Sequence, residues 1–402
     1  MASIYRSSSI SSFDSTASTS SYASSSCSPN DVIASDSCRC SRKSSSSPIH
    51  SLPFELIHYI IDLTLPSDHS SRTRVLLSYA LVSRFFLLPS QSLLNASIKL
   101  STSSAANRWL SSKRPSTTSS SHLITHALSM AGIVAGHGIS ANTARKCLLK
   151  AERVSTVELF DFKSLPVKAL QGPSLSNLHT LYLSTSFVPL PRSSFPLLLR
   201  EPLYLPFRST LRTLTLSGTP SIPSPLLFAL LQCPYLTSLT LSLVPRSSCY
   251  PNLIEALPLA LGNGLKELAI HHPPDERFLQ DAFGPNSPHE RRTSASIGAS
   301  NLTHLSLHPK VPLDILLEKL SASRHTHLQH LDLTISYNVQ GMNAILRQHF
   351  LVGGGGSFHR LKTLVLRGTR EREWDRFAKE EGRWLTQVGS EERRFKVEWI
   401  PI

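Results

Sequence analysis

Four histidines are the residues whose type and spacing could do chemistry in this sequence of 402 residues. Imidazole nitrogens are common metal ligands, and histidines on neighbouring elements can converge on one ion. No cysteine or carboxylate array accompanies them, so the sequence does not favour a metal site, and we expect neither a metal nor another cofactor. The four are His271, His304, His308 and His330.

Catalytic motifs are missing from the sequence. It contains no GxSxG nucleophile turn, no Walker loop, no HExxH and no GxGxxG. The glycine run at 353–356 is followed by no Lys-Ser or Lys-Thr pair, so it is predicted to be a flexible turn rather than a phosphate loop. We therefore expect no catalytic residues and a protein that is not an enzyme.

Cysteine content and charge limit the class of protein. Six cysteines in so long a chain do not make a disulfide framework, so a reducing compartment is expected. Cys38 and Cys40 could bind a metal or carry a lipid, but no histidine or second cysteine pair lies nearby. The net charge of +14 is spread thinly, whereas a nucleic-acid binder usually gathers Lys and Arg on one face. Nucleic acid is therefore not indicated as a partner.

Apolar segments bear on localisation. The first fifty residues include 21 serines and no apolar stretch typical of a secretory signal. The nearest approach to a membrane span is Ile124 to Ile139, which His126, Ser129 and His137 interrupt. We predict a buried helix there. A cytoplasmic or nuclear protein without membrane contact is expected.

Composition divides the chain into four segments. Residues 1–47 are Ser-rich with few large apolar side chains, which predicts a disordered arm. Residues 48–100 carry helical patterns, and residues 101–121 are a Ser/Thr-rich predicted linker. Residues 122–402 carry a leucine pattern and end in a charged helical cap. A chain of this length, with 40% hydrophobic residues, can bury a large core.

The segment after Pro48 is predicted to form three small helices. Their patterns are SLPFELIHYIIDLTL (51–65), LLSYALVSRFF (76–86) and SLLNASIKL (92–100). Three small helices bury little surface on their own. We therefore expect these helices to keep an apolar face for a partner. Leu56 and Leu81 are expected to lie in the core of this small domain instead.

One six-residue pattern recurs in the second half: apolar, two free, apolar, one free, apolar. Six strict leucine copies occur, whereas leucine content alone predicts about one or two. The copies begin at Leu178, Leu211, Leu236, Leu302, Leu328 and Leu361, with relaxed copies at Val154 and Leu265. Period and motif are those of leucine-rich repeats, in which a strand carries the pattern and a helix returns the chain.

The repeats are predicted to be irregular. The Asn or Cys usual three positions after the last leucine is absent, so another hydrogen-bonding ladder must replace it. Return helices are expected at 225–233, 253–261, 314–320 and 342–352, a mobile insertion at 271–300, a cap helix at 371–388 and a strand at 395–399. We therefore predict an α/β fold: a small N-terminal helical domain followed by an irregular leucine-rich-repeat solenoid, preceded by a disordered arm.

The N-terminal helices resemble an F-box, the segment that docks onto the Skp-type adaptor of cullin-RING ubiquitin ligases. Residues 52–61 match the family's LPxELxxxI opening, and Leu81 to Phe86 match its VCRRW stretch with Ser for Cys and Phe for Trp. An F-box followed by leucine-rich repeats is a recurrent layout, especially in fungi. The resemblance implies adaptor contacts from Leu52, Pro53, Glu55, Ile57, Ile60, Ile61, Val82 and Phe86.

The resemblance implies an SCF-type ligase subunit (Skp, cullin, F-box) that recruits a protein substrate and does no chemistry itself. Strand residues that point away from the core would form the substrate face, and aromatic, His and Arg side chains are favoured at binding hot spots. The candidates are Phe160, Tyr182, His304, His308, His330 and Arg367. A leucine-rich-repeat scaffold that binds protein or nucleic acid, with the helices merely capping it, is the alternative.

Overall fold

The computed structural model is a mixed α/β protein with one large parallel sheet and several helices. It describes residues 52–112, 125–134, 136–151, 153–188, 203–218, 220–244, 249–271, 301–308, 317, 327–335, 358, 360–368 and 396–401. The predicted arm (1–47), the cap helix (371–388) and nearly all of the insertion (271–300) lie outside these residues.

The regular elements of the described residues are seven α-helices and thirteen strands. The helices are α1 (Phe54–Thr64), α2 (His69–Val82), α3 (Arg84–Ala96), α4 (Ser103–Ser111), α5 (Ala141–Lys150), α6 (Ser224–Leu231) and α7 (Tyr250–Gly262). The strands are β1 (Ser97–Leu100), β2 (Ala127–Ala131), β3 (Thr156–Phe160), β4 (Leu165–Pro166), β5 (Thr180–Ser184), β6 (Phe187–Val188), β7 (Thr213–Gly218), β8 (Ser238–Leu243), β9 (Glu267–His271), β10 (His304–His308), β11 (His330–Ile335), β12 (Thr363–Gly368) and β13 (Lys396–Pro401).

Eleven strands form one sheet in chain order, β1-β2-β3-β5-β7-β8-β9-β10-β11-β12-β13. Every pair of neighbours is parallel. Strands β4 and β6 make a separate parallel pair. Because parallel neighbours require a crossover, each strand is followed by a segment that returns the chain to the same edge.

The eight predicted repeat strands are confirmed as β3, β5 and β7 to β12. In β5 the burial pattern alternates, with Leu181 and Leu183 fully buried and Thr180 and Tyr182 half-exposed. The first leucine of the pattern, Leu178, is buried as well. One side of the sheet therefore packs leucines into the main core, and the other side, here called the outer face, carries polar and aromatic residues.

The return segments are partly those predicted. Helices α6 and α7 occupy the two predicted at 225–233 and 253–261, and all their leucines except Leu259 are buried. Of the segment at 314–320, only Leu317 is described, and it is helical and buried. The segment at 342–352 lies outside the described residues. Between β3 and β5 the chain returns through short 3-10 turns rather than an α-helix.

The prediction of a buried helix over Ile124 to Ile139 is wrong. Residues 127–131 form strand β2, where Leu128 and Met130 are buried and their neighbours are half-buried. Strand β2 lies between β1 and β3 and bonds to both. A short apolar run fits either periodicity, and here the two neighbouring strands satisfy its backbone groups.

The helix boundaries near the N-terminus also differ from the predicted ones. LLSYALVSRFF is two helices rather than one, because α2 ends at Val82 and the Ser83 hydroxyl accepts a hydrogen bond from Phe85 N–H at the start of α3. Pro89 lies inside α3, and the predicted third helix ends in strand β1. The first strand therefore begins at residue 97, within the segment predicted as F-box.

Part of the predicted linker is a helix. Helix α4 begins after Thr102, whose hydroxyl accepts a hydrogen bond from Ala105 N–H. Its C-terminal carbonyls are bound by the ammonium group of Lys150, which donates to Trp109 O at 2.6 Å and to Leu110 O at 2.8 Å. A cation at a helix C-terminus is electrostatically favourable, so α5 holds α4 in place.

Serine, threonine and cysteine side chains satisfy backbone groups where the usual Asn ladder is absent. The buried Thr185 hydroxyl donates to Leu159 O at 2.9 Å, and Ser221 N–H donates to the Ser186 hydroxyl. The buried Cys249 thiol donates to Pro220 O. These contacts link each repeat to the one before it, where the sequence predicted that other hydrogen bonds would replace the Asn ladder.

Candidate functional site

The first candidate surface lies on helix α1. Four large apolar side chains, Leu56, Tyr59, Ile60 and Leu63, are each about half or more exposed. Their spacing of three, four and seven residues puts them on one side of the helix. This set, here called the α1 stripe, faces away from the direction in which Ile57 and Ile61 are buried.

The expectation that Ile57 and Ile61 are exposed for contact with an adaptor is wrong for the free protein, because both side chains are buried. They pack with Leu76 and Leu93 in a small cluster between α1, α2 and α3. Leu52 and Phe86 are half-buried against that cluster. These four predicted adaptor residues therefore hold the three helices together. Conversely, Leu56 and Leu81 were expected in the core and are 49% and 88% exposed.

The remaining predicted adaptor residues are accessible. Val82 and Ile60 are exposed, and Pro53 and Glu55 are exposed at the start of α1. Pro53 O accepts the N–H groups of Leu56 and Ile57, both at 3.2 Å, and Glu55 lies in the first turn, where a negative charge favours the helix.

Exposed apolar side chains are concentrated in these helices. Among the described residues, eight of the fifteen exposed large hydrophobic side chains fall in α1, α2 or α3. Besides the α1 stripe they are Leu77, Leu81, Val82 and Leu88. Such a concentration in a small segment is typical of a surface that a partner covers.

The second candidate surface is the outer face of the sheet. All six predicted substrate residues lie on it, as the strand alternation requires. Phe160 and Tyr182 are on adjacent strands with ring centroids 4.8 Å apart. The structure therefore brings together the two aromatic candidates near one end of the sheet.

The histidines form two pairs on strands β9 to β11. His304 and His330 are register partners, and their rings stack with centroids 4.2 Å apart. His271 and His308 are a second register pair, at 4.3 Å. A groove of about 390 Å³ opens on the outer face over this region, and its lining includes Glu267, His304, His330 and Thr363.

Arg367 is bound to a neighbour that the sequence did not reveal. Its Nε donates to Asp332 Oδ1 and its Nη2 to Asp332 Oδ2, both at 2.8 Å. These hydrogen bonds raise the pKa of Arg367 above its usual value. The two residues are 35 positions apart, and the pairing of β11 with β12 brings them together.

The titratable groups of the described residues are not arranged for metal binding. Within that part of the chain, no three His, Cys, Asp or Glu side chains are grouped closely enough to hold an ion. Burial is the main cause that lowers the pKa of His330, and His304 and Lys362 add to it. Burial raises the pKa of the Cys147 and Cys233 thiols to about 11, which disfavours their thiolates.

The sequence did not draw attention to three basic residues at the end of the sheet where the strands begin. Arg212, Lys266 and Lys362 each follow the first leucine of a repeat and precede its strand. The outward strand positions that were considered as contacts do not include the second residue of each repeat. Comparing that residue between the repeats would have found the three cations.

No helix of the described residues is long and apolar enough to cross a membrane. Comparison with protein-family models and with curated proteins finds no match to this chain. The function therefore has to be argued from its two candidate surfaces.

Proposed function

We propose that this chain is the substrate-recognition subunit of an SCF-type ubiquitin ligase. Helices α1 to α3 act as an F-box that docks a Skp-type adaptor and, through it, a cullin. The parallel sheet is the strand layer of an irregular leucine-rich-repeat solenoid, and its outer face holds a protein substrate. The subunit does no chemistry itself, because its role is to keep the substrate near the conjugating enzyme.

The observation that carries the proposal is the α1 stripe. Its four side chains are exposed, and the small core of the three helices is built by other apolar residues, Ile57, Ile61, Leu76 and Leu93. Apolar, aromatic-rich surfaces with few charges at their centre are typical of permanent protein interfaces. The stripe overlaps the LPxELxxxI segment through which the F-box resemblance predicts adaptor binding.

The chain-ordered sheet supports the second half of the proposal. Eight of the eleven strands each carry one copy of the apolar pattern, and the copies are spaced by 24 to 37 residues, as a repeat solenoid requires. Its outer face presents the ring pair of Phe160 and Tyr182 and polar side chains on neighbouring strands. Cys147 and Cys233 are buried thiols that form no disulfide, which supports placing the protein in the cytoplasm or nucleus.

A repeat scaffold without a ligase role is the second candidate. It is favoured by the direct connection of α3 to β1, the edge strand of the sheet, which suits helices that merely cap a solenoid. Against it, Ile57 and Ile61 are buried among the three helices themselves rather than against residues 124–149. The stripe then has no role in such a cap.

The test is binding of the full chain to a purified Skp-type adaptor, measured by calorimetry. The double variant Leu56→Asp/Ile60→Asp is expected to abolish binding, because two charges would be buried in an apolar interface. Tyr204→Asp/Tyr235→Asp is the matched control, since both side chains are exposed to a similar or greater degree elsewhere. The control is expected to bind like the unmodified chain.

Absence of adaptor binding by the folded wild-type chain would overturn the proposal and leave the scaffold. Equal loss in the stripe and control variants would overturn the assignment of the stripe. Circular dichroism of each variant is compared with the wild type, so that loss of folding is not mistaken for loss of contact.

A further inference from the structure

A line of cations runs along the edge of the sheet at which the strands begin. Lys266 N–H donates to Thr237 O, Thr303 N–H donates to Lys266 O, and Lys362 N–H donates to Gln329 O. These bonds continue the strand ladder by one residue and place the second residue of each repeat in one row. Arg212, Lys266 and Lys362, here called the basic edge, occupy this row before β7, β9 and β12.

The charges of the basic edge are available to a partner. All three side chains are exposed, and no carboxylate of the described residues lies in salt-bridge contact with them. Of the acids nearby on the outer face, Asp332 pairs with Arg367 and Glu398 pairs with Lys396 at 2.7 Å, whereas Glu267 of the groove lining is in no salt bridge with a described residue.

Two residues of the basic edge directly precede groove residues: Lys266 precedes Glu267 and Lys362 precedes Thr363. Glu267, His304 and His330 are register partners on β9, β10 and β11, and all three line the groove. Thr363 continues this row on β12, directly after Lys362. A ligand that contacts the cations therefore also reaches the groove, where imidazole and hydroxyl groups offer hydrogen bonds.

We propose that the basic edge and the adjoining groove bind an extended acidic polypeptide segment that crosses strands β7 to β12. Neighbouring strands are about 4.8 Å apart, so Arg212 and Lys266 are about 10 Å apart and Lys266 and Lys362 about 14 Å apart. An extended chain rises about 3.3 Å per residue, so carboxylates every three or four residues match these spacings. The inference deepens the proposed function by naming a substrate class.

A peptide fits this surface better than a nucleic acid does. Single-stranded nucleic acids use aromatic side chains as stacking platforms beside a basic groove. The outer-face aromatic pair, Phe160 and Tyr182, lies on β3 and β5, whereas the groove lies over β8 to β12. The groove lining of the described sheet consists of Ser, Thr, His, acidic and aliphatic residues, with no aromatic carbocycle among them.

The test is fluorescence anisotropy of a labelled peptide of about twelve residues with Glu at every third or fourth position. The full chain is used at about pH 7.5 and low salt, without any adaptor. Binding is expected to weaken with added salt, and a peptide with Gln in place of Glu is expected not to bind. Lys266→Gln/Lys362→Gln is expected to weaken binding roughly tenfold.

The matched control is Lys146→Gln/Lys168→Gln, which removes two exposed lysines from α5 and the 3-10 turn, and is expected to bind normally. Equal binding of the Glu and Gln peptides, or equal loss in both double variants, would overturn the inference. Displacement of the peptide by a lower concentration of oligothymidylate would assign the edge to nucleic acid instead. Because no adaptor is present, this result is independent of the adaptor-binding test.

Discussion

The role of a residue in this protein depends on its neighbours more than on its type. Ile57 and Ile60 are the same amino acid one turn apart, yet Ile57 is 4% exposed and Ile60 is 49% exposed. Arg367 and Lys362 are both cations at β12, yet one is bound to Asp332 and the other is free of carboxylate contact among the described residues. Binding arguments therefore have to start from contacts.

His330 is the residue for which a titration gives the sharpest test. Its neighbours are His304 on β10, Lys362 and Thr363 before and in β12, and Asp332 on its own strand. Burial and the adjacent positive charges disfavour the imidazolium, so its pKa is expected below the usual value. The pKa is measured by NMR titration of the ring protons.

The variant His304→Gln is expected to raise the pKa of His330 without restoring the usual value, since burial is the larger cause. The pKa of His330 is lower in the folded state than in the unfolded chain, so at pH values between the two pKa values the folded state binds fewer protons. The stability that neutral His330 allows is therefore present above the unfolded pKa of about 6.5 and is lost as the pH falls through the lower, folded pKa. A His330 pKa above the usual value would contradict the account.

At the scale of elements, strands β8 and β10 divide their residues between the core and the outer face. Leu239 and Leu241 of β8 are fully buried, while Thr240 between them is half-exposed on the outer face. The same division holds in the histidine strand β10, where Leu305 and Leu307 are buried. Alternate residues of one strand thus face the core and the outer face.

This division predicts opposite outcomes for neighbouring substitutions. Leu239→Ala is expected to lower the free energy of unfolding by about 2–5 kcal/mol, because it leaves a cavity in the core. Thr240→Ala is expected to change it by no more than about 0.5 kcal/mol. Urea denaturation followed by circular dichroism measures both, and a large loss for Thr240→Ala would contradict the assignment of faces.

At the scale of the whole molecule, the described chain has two separate apolar cores. Ile57, Ile61, Leu76 and Leu93 form the helical one, and the leucines of the sheet form the other. No buried residue belongs to both clusters in the described part of the chain. Two cores that share no side chain can open independently.

Ile61→Ala is therefore expected to accelerate amide hydrogen exchange in α1, α2 and α3 and to leave β7 to β9 unchanged. The physical reason is that the cavity lies in the helical core alone. Mass spectrometry of exchanged peptides measures both regions, with Leu239→Ala as the reciprocal control. Equal acceleration in the strands would mean that the two cores unfold as one.

Much of the fold was predictable from local patterns. The spacing of leucines located eight strands and predicted which side chains are buried, because alternation along a strand is a local geometric property. The first three helices were likewise visible as patterns, but their ends depended on capping by Ser83 and on Pro89, which α3 accommodates.

The candidate sites divide in the same way. The sequence by itself determined that Phe160, Tyr182 and the histidines share the outer face, since strand periodicity alone decides this. Only the tertiary structure decided that Asp332 binds Arg367, that Ile57 and Ile61 are buried, and that 127–131 is a strand. Those outcomes depend on which elements meet, and packing between segments far apart in the chain is not encoded in the periodicity of either one.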